Sequence, residues 1–430
     1  MNPSAHPTRS EIESGQLEQL RSLLAELFPA NKFYSQKLQA CGVTFDVASL
    51  ADFSARFPLT TKQELVEDQL RHPPFGTNLT YPPEKYTRFH QTSGTTGTPL
   101  RWLDTPESWN WMLESWMEVF RAADVRAGDR IFFAFSFGPF IGFWTAFESA
   151  ARLGCLCVPA GGVSTMARVR MMVDNRVNVL CCTPTYALRL AEATTREKVD
   201  LRGLQLKTIV VAGEPGGSIP AVRAQLESVW TGARVFDHHG MTEVGPVSYE
   251  CPAQPGVLHI IESAYLAEVI DPATGKPAGP GQTGELVLTT LGRTGSPLLR
   301  YRTGDLVKRN AHGARCKCGR FEVALEGGIL GRTDDMVIVR GVNIYPAAVD
   351  EIVRACGDVA EYQVQLSAEP ALSELSVTIE PVPSCTDSGA LVGRLEHAFK
   401  NAFGLRVGVA AVPPGTLPRF EMKARRWVKG

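Results

Sequence analysis

Several things are missing from this 430-residue chain, and each absence removes a class of function. There is no excess of one charge: 44 Lys and Arg stand against 45 Asp and Glu, a net charge of −1. Proteins that bind nucleic acid or an anionic membrane carry a basic patch, so neither partner is expected. No apolar run reaches spanning length, and the first residues, Met-Asn-Pro-Ser-Ala-His, hold no apolar leader core. A cytoplasmic location is the expectation. No G-x-x-x-x-G-K-[ST] is present, which argues against a P-loop ATPase. A disulfide framework is not expected either. Of the ten cysteines, Cys155, Cys157, Cys181 and Cys182 sit inside apolar stretches, as small hydrophobes do in a reducing compartment.

What is present is a chain too long for one ordinary core, so two or more domains are expected. Leu17, Leu20, Leu23, Leu24 and Leu27 recur at helical spacing until Pro29 ends the run, within a helical stretch reaching to about residue 40. Thr60 or Thr61 can cap a following helix, with Glu64 where a capping-box acid belongs. Residues 106 to 123 read as a helix so rich in Trp, Met and Phe that it is largely buried. From Asp129 onward, short β-branched and aromatic runs alternate with helical patterns up to Ala212, which implies βαβ units and a parallel sheet. From about 258 strands follow one another across Gly/Pro turns, an antiparallel signature. After the polar break Gly331-Arg-Thr-Asp-Asp335, roughly 95 residues of mixed patterning fit a small α+β domain.

Three stretches carry chemistry. Thr92-Ser-Gly-Thr-Thr-Gly-Thr98 interleaves hydroxyls with Gly94 and Gly97. Backbone N–H groups and hydroxyls in such a loop can wrap polyphosphate, although alone the run reads more readily as a linker or turn. Ala212-Gly-Glu-Pro-Gly-Gly217 and Val235-Phe-Asp-His-His-Gly-Met-Thr-Glu-Val-Gly245 each follow a strand. Ligands in open α/β sheets bind beyond the carboxyl ends of strands, so all three should converge on one crevice. Phe135, Phe137, Phe140 and Phe143 lie beside flexible glycines and can be core or pocket wall.

Taken in order, these motifs resemble the adenylate-forming superfamily, and within it the phenylacetate–CoA ligase branch. The resemblance is carried by Thr92–Pro99, Ala212–Pro215, His239-Gly-Met-Thr-Glu243, Arg300-Tyr-Arg-Thr-Gly-Asp305, the block Gly331–Pro346 ending Gly-Val-Asn-Ile-Tyr-Pro, and Pro418-Arg-Phe-Glu-Met-Lys-Ala-Arg425. It implies an α/β fold: a large N-terminal domain over 1–333, with parallel βαβ sheets and a β-rich antiparallel subdomain over 258–330, then a small mobile α+β lid over 334–430. It implies two half-reactions. A carboxylic acid, aromatic in this branch, attacks ATP to give acyl-AMP and pyrophosphate, and the thiol of CoA then displaces AMP.

The resemblance also implies roles. Ser93, Gly94, Thr95, Thr96 and Gly97 would hold the β- and γ-phosphates, and Thr242 the α-phosphate. Glu243 would hold Mg²⁺, a hard cation that takes oxygen ligands. Asp305, an acid after a strand, would accept the ribose hydroxyls, with Arg332 nearby. Gly213, Glu214 and Pro215 would line the adenine, with His239, Gly240 and Met241 alongside. Phe135, Phe140, Ala212 and His238 would form the acyl pocket. Lys423 would bridge the substrate carboxylate and the α-phosphate. Asp334 would be the hinge, and Gly341 would line the CoA tunnel.

Two departures stand out. Thr98 occupies the usual place of a loop lysine, and His239 that of a tyrosine that stacks on adenine; either His238 or His239 can instead touch the acyl group. Separately, Cys251, His259, Cys316 and Cys318 make a Cys₃His set suited to a structural zinc ion, against the alternative of unconnected thiols. An adenylating enzyme serving a carrier-protein thiol or an amine, and a non-catalytic nucleotide binder, are the other function classes that the residues allow. The oligomeric state is open, a homodimer included.

Overall fold

The computed structural model describes residues 6–92, 98–201, 203–340, 342–367, 374–420 and 424–429. Its centre is a five-stranded parallel sheet in the order Leu156–Pro159, Arg130–Phe133, Val179–Cys182, Thr208–Val211, Arg234–Asp237. The strands are nearly continuous apolar runs because both faces are covered. Ile131, Phe133, Val179, Cys181, Val210 and Phe236 enter one core. Their alternates Phe132, Leu180, Cys182, Ile209, Val211 and Val235 enter the other. Period-two alternation thus feeds two cores from one sheet, each fully buried side chain contributing about 1.5–3 kcal/mol.

Helix Pro106–Ala122 lies on the first face, with Trp109, Met112, Trp116 and Phe120 buried, as the dense aromatic pattern predicts. Pro184–Arg196 belongs to the second, starting at Pro184 with Thr183 capping the amide of Tyr186. The N-terminal helical stretch divides into Arg9–Leu27 and Lys32–Ala40. Thr61 is the cap of Lys62–Arg71, completed by Glu64.

The antiparallel region contains two sheets. One joins Tyr265–Ile270, Thr283–Thr290, Tyr301–Lys308 and Gly331–Arg332; the other joins Ser248–Cys251, Gln254–Ile260 and Ala324–Glu326. It therefore begins some ten residues before the expected position, because Ser248–Cys251 pairs with Gln254–Ile260 across a two-residue connection. The last part has its own core around Val349, Val364, Val377, Leu395 and Phe399. Its four-stranded mixed sheet, Gly408–Ala411, Glu374–Pro381, Val359–Ser367, Trp427–Lys429, packs with helices Pro346–Ala355 and Ser388–Phe403.

Two expectations need correction. Cys155 and Cys157 are only half-buried, since Leu156–Pro159 is an edge strand. Asp305 lies within the strand Tyr301–Lys308 rather than after one.

Candidate active site

The parallel strands end side by side, and their turns meet there. The turn after Thr208–Val211 is wedged between two neighbours. A Cβ on Gly216 would stand 2.6 Å from the Pro184 side chain, and one on Gly217 would stand 2.4 Å from the Asp237 carboxylate. Only glycine allows that approach. Both carboxylate oxygens of Glu214 are engaged by backbone amides. It accepts the amide of Thr185 at 2.8 Å and that of Ala424 at 2.9 Å.

The next turn carries His238 to Gly245. His238 is buried, packs on Trp116 at 4.2 Å between ring centroids, and places Nδ1 2.6 Å from the Ser248 carbonyl. Burial pushes its pKa down to about 3, so the ring is neutral. Gly240 and Met241 pair with Pro246 and Gly245; a Cβ on Gly240 would meet the Gly245 carbonyl at 2.8 Å. Thr242 and Glu243 follow at the tip.

That tip is held by a residue the sequence does not flag. Arg293 is fully buried; it donates to the carbonyl of Thr242 at 3.0 Å and to that of Glu243 at 2.7 Å. Its other nitrogens reach both Asp104 oxygens at 2.7 Å, a bidentate buried pair. Lys62 was missed as well: its Nζ lies 3.3 Å from Glu243 Oε1. Nothing in the local pattern of Thr-Thr-Lys beyond the helix cap distinguishes it.

Asp305 faces the same turn. His239 Nε2 sits 3.0 Å from its Oδ2, and Arg332 Nη1 3.0 Å from its Oδ1. Burial works to raise the Asp305 carboxyl, and the two bases outweigh it, so its pKa falls below the usual value. Arg332 also forks onto Asp334 at 2.8 and 3.1 Å. One guanidinium therefore joins the Asp305 strand to the exposed Asp334.

Arg88–Gln91 pairs antiparallel with Arg101–Asp104, and Thr92 exchanges backbone and side-chain hydrogen bonds with Leu100. Ser93, Gly94, Thr95, Thr96 and Gly97 lie outside the described residues, as do Gly341 and Lys423. Thr98 is exposed. Phe135 is buried, stacked on Phe143 at 3.7 Å. Phe137 meets Trp144 and Phe147 edge-on. Phe140 is half-buried and Ala212 buried. Phe135 is thus core, with the other rings forming a partly open apolar rim.

Away from the crevice, Cys251, His259, Cys316 and Cys318 come together with all four ligand atoms within 4.8 Å of one another. The Cys251 and Cys316 sulfurs are 3.6 Å apart; Cys318 Sγ is 3.4 Å from His259 Nε2. Tetrahedral zinc with Zn–S bonds of about 2.3 Å spaces its sulfurs by roughly 3.8 Å, so the donor set fits that ion. Among the described residues no helix is long and apolar enough to cross a membrane.

A parallel α/β sheet whose carboxyl edge carries these turns, followed by a small C-terminal lobe, is an architecture shared with solved adenylate-forming CoA ligases. Residues 58–292 match the family model described as AMP-binding enzyme, and 341–429 match the AMP-binding enzyme C-terminal domain. A phenylacetate-coenzyme A ligase of Thermus thermophilus is 34% identical over 433 residues, spanning 96% of this chain and 95% of the relative. The structure of 2-hydroxyisobutyryl-CoA ligase in the postadenylation state aligns with TM-score 0.93 at 28% identity, over 100% of this chain and 93% of that one. The same ligase in the thioesterification state aligns with TM-score 0.73 at 30% identity, over 98% and 90%. The chain belongs to the AMP-binding enzyme family. Within it, the chain is an AMP-forming acid–CoA ligase.

Proposed function

We propose that the acid is an arylacetic or related aromatic acid, and that the residues at the sheet edge divide the work of its two half-reactions. The observation that supports this reading is the buried Asp305 carboxylate held by His239 and Arg332 beside the Thr242–Glu243 turn, together with the half-buried rings of Phe137, Phe140 and Phe143. The named activities of the relatives, phenylacetate ligation among them, agree with it.

In the first half-reaction two anions must meet and pyrophosphate must leave, so the site needs donors fixed in advance. Asp305 orients the ribose. His239 and Arg332 keep it ionised and aimed, and His239 takes the place of the stacking tyrosine. Thr242 offers its hydroxyl to the α-phosphate from a turn that Arg293 holds. Glu243 would hold Mg²⁺ through its carboxylate, and the ion would supply neutralisation of phosphate charge there. Lys62, beside Glu243, provides the cation that the loop lacks at Thr98. Lys423 holds the carboxylate against the α-phosphate. In the second half-reaction the small lobe turns about Asp334 and presents the CoA thiol. Cys251, His259, Cys316 and Cys318 would hold a structural zinc ion, which would supply a cross-link between the turn and the strands that carry them.

The test is to supply phenylacetate and other aryl acids with ATP, Mg²⁺ and CoA and to identify the product by mass spectrometry. An aryl-CoA thioester with AMP supports the reading. Product from alkyl acids only would overturn the aromatic assignment, and product only with a carrier-protein thiol would overturn CoA as the acceptor.

A further inference from the structure

Glu214 joins the large lobe to the C-terminal lobe. Its Oε1 accepts the N–H of Thr185, the second residue of helix Pro184–Arg196, at 2.8 Å. That amide has no partner within its helix, and the helix dipole favours an anion there. Its Oε2 accepts the N–H of Ala424 at 2.9 Å, 210 residues further along the chain. Ala424 adjoins Lys423. Both carboxylate oxygens are thus engaged by main-chain donors, one from each lobe, in charge-assisted bonds. The same seam carries Arg426 Nη2 to Thr185 Oγ1 at 3.4 Å, and Arg419 Nε to Glu192 Oε2 at 3.4 Å on the same helix.

We infer that Glu214 is a positioning residue for the first half-reaction: it latches the tail that bears Lys423 onto the large lobe while acyl-AMP forms, and it lets go when the small lobe turns for thioester formation. The inference rests on the two-pose reading given above. Glu214 acts through the backbone of Ala424 and does not touch the reacting atoms. On this reading the bond to the tail is lost when the small lobe turns, so its removal falls on one half-reaction, and on kcat rather than on the Michaelis constant for ATP.

The test uses the full chain with Glu214→Gln, which keeps shape and one acceptor, and Glu214→Ala, which keeps neither. Three quantities are read: ATP–pyrophosphate exchange, thioester formation from supplied acyl-AMP and CoA, and thermal melting. Loss of a charge-assisted bond in one pose should lower exchange kcat by about 10- to 100-fold, more for Ala than for Gln. Thioester formation should stay within about threefold, and the Gln variant should melt near wild type. Unchanged exchange, or equal loss of both half-reactions in a Gln variant that melts like wild type, overturns the latch. A wild-type chain that exchanges with no acid overturns the underlying reading instead, so the two failures are distinct.

Discussion

Arg293→Met removes the tether behind the Thr242–Glu243 turn. Both Arg293 and its partner Asp104 have fully buried side chains, and they pair through two contacts of 2.7 Å. Removing one partner of such a pair strands the other charge, which costs about 3–5 kcal/mol. The carbonyls of Thr242 and Glu243 lose their donor at the same time. An unpaired buried acceptor costs about 1–3 kcal/mol, and this overlaps the first figure instead of adding to it in full. The single variant should therefore lose about 3–5 kcal/mol in urea unfolding followed by tryptophan fluorescence. Adding Asp104→Leu removes the stranded charge and should recover about half of that loss. Pyrophosphate exchange should stay depressed in both variants, because neither restores a donor to the turn. A single variant within about 1 kcal/mol of wild type would refute the reasoning, as would a double variant with full exchange.

Lys62→Ala should raise the Michaelis constant for ATP by roughly threefold to tenfold, the size of one partly screened charge contact. Adding Thr98→Lys should bring it back down; no rise in Lys62→Ala would remove that residue from the phosphate end. His238, with a folded pKa of about 3 against an ordinary 6.5, binds fewer protons folded than unfolded between those values. Its contribution is complete above about pH 6.5 and is lost as the pH falls toward 3, by about 1.4 kcal/mol per unit within the window. His238→Asn should flatten that slope in acid unfolding, and an unchanged slope would assign it to other groups. Untagged protein should carry close to one zinc per chain by plasma mass spectrometry, and less than about 0.2 equivalents would sink the metal assignment.

The fold was largely legible because its signals are local. Proline and glycine punctuate the elements, and β-branched runs such as Thr208–Val211 are long enough to name a buried strand. The early start of the antiparallel region was not, because the two-residue connection after Cys251 has no strong turn dipeptide. The Cys₃His residues were legible as a set because thiols on turns are conspicuous, while their convergence depends on strand pairing between Gln254–Ile260 and Ala324–Glu326. Arg293 and Glu214 were not legible in the roles they take. Arg293 meets a partner 189 residues away, Glu214 one 210 residues away, and no local spacing encodes such pairs. His239 appeared as a departure from the family pattern; its bond to Asp305 is visible only once the strand Tyr301–Lys308 faces the turn.

The most direct test of the two-step account is ATP–pyrophosphate exchange in wild type and Lys423→Ala, run with a panel of aryl and alkyl acids beside thioester formation from supplied acyl-AMP. The account predicts exchange with an aryl acid, its loss in Lys423→Ala, and retention of thioester formation in that variant. No exchange with any acid, or equal loss of both half-reactions in Lys423→Ala, would contradict it.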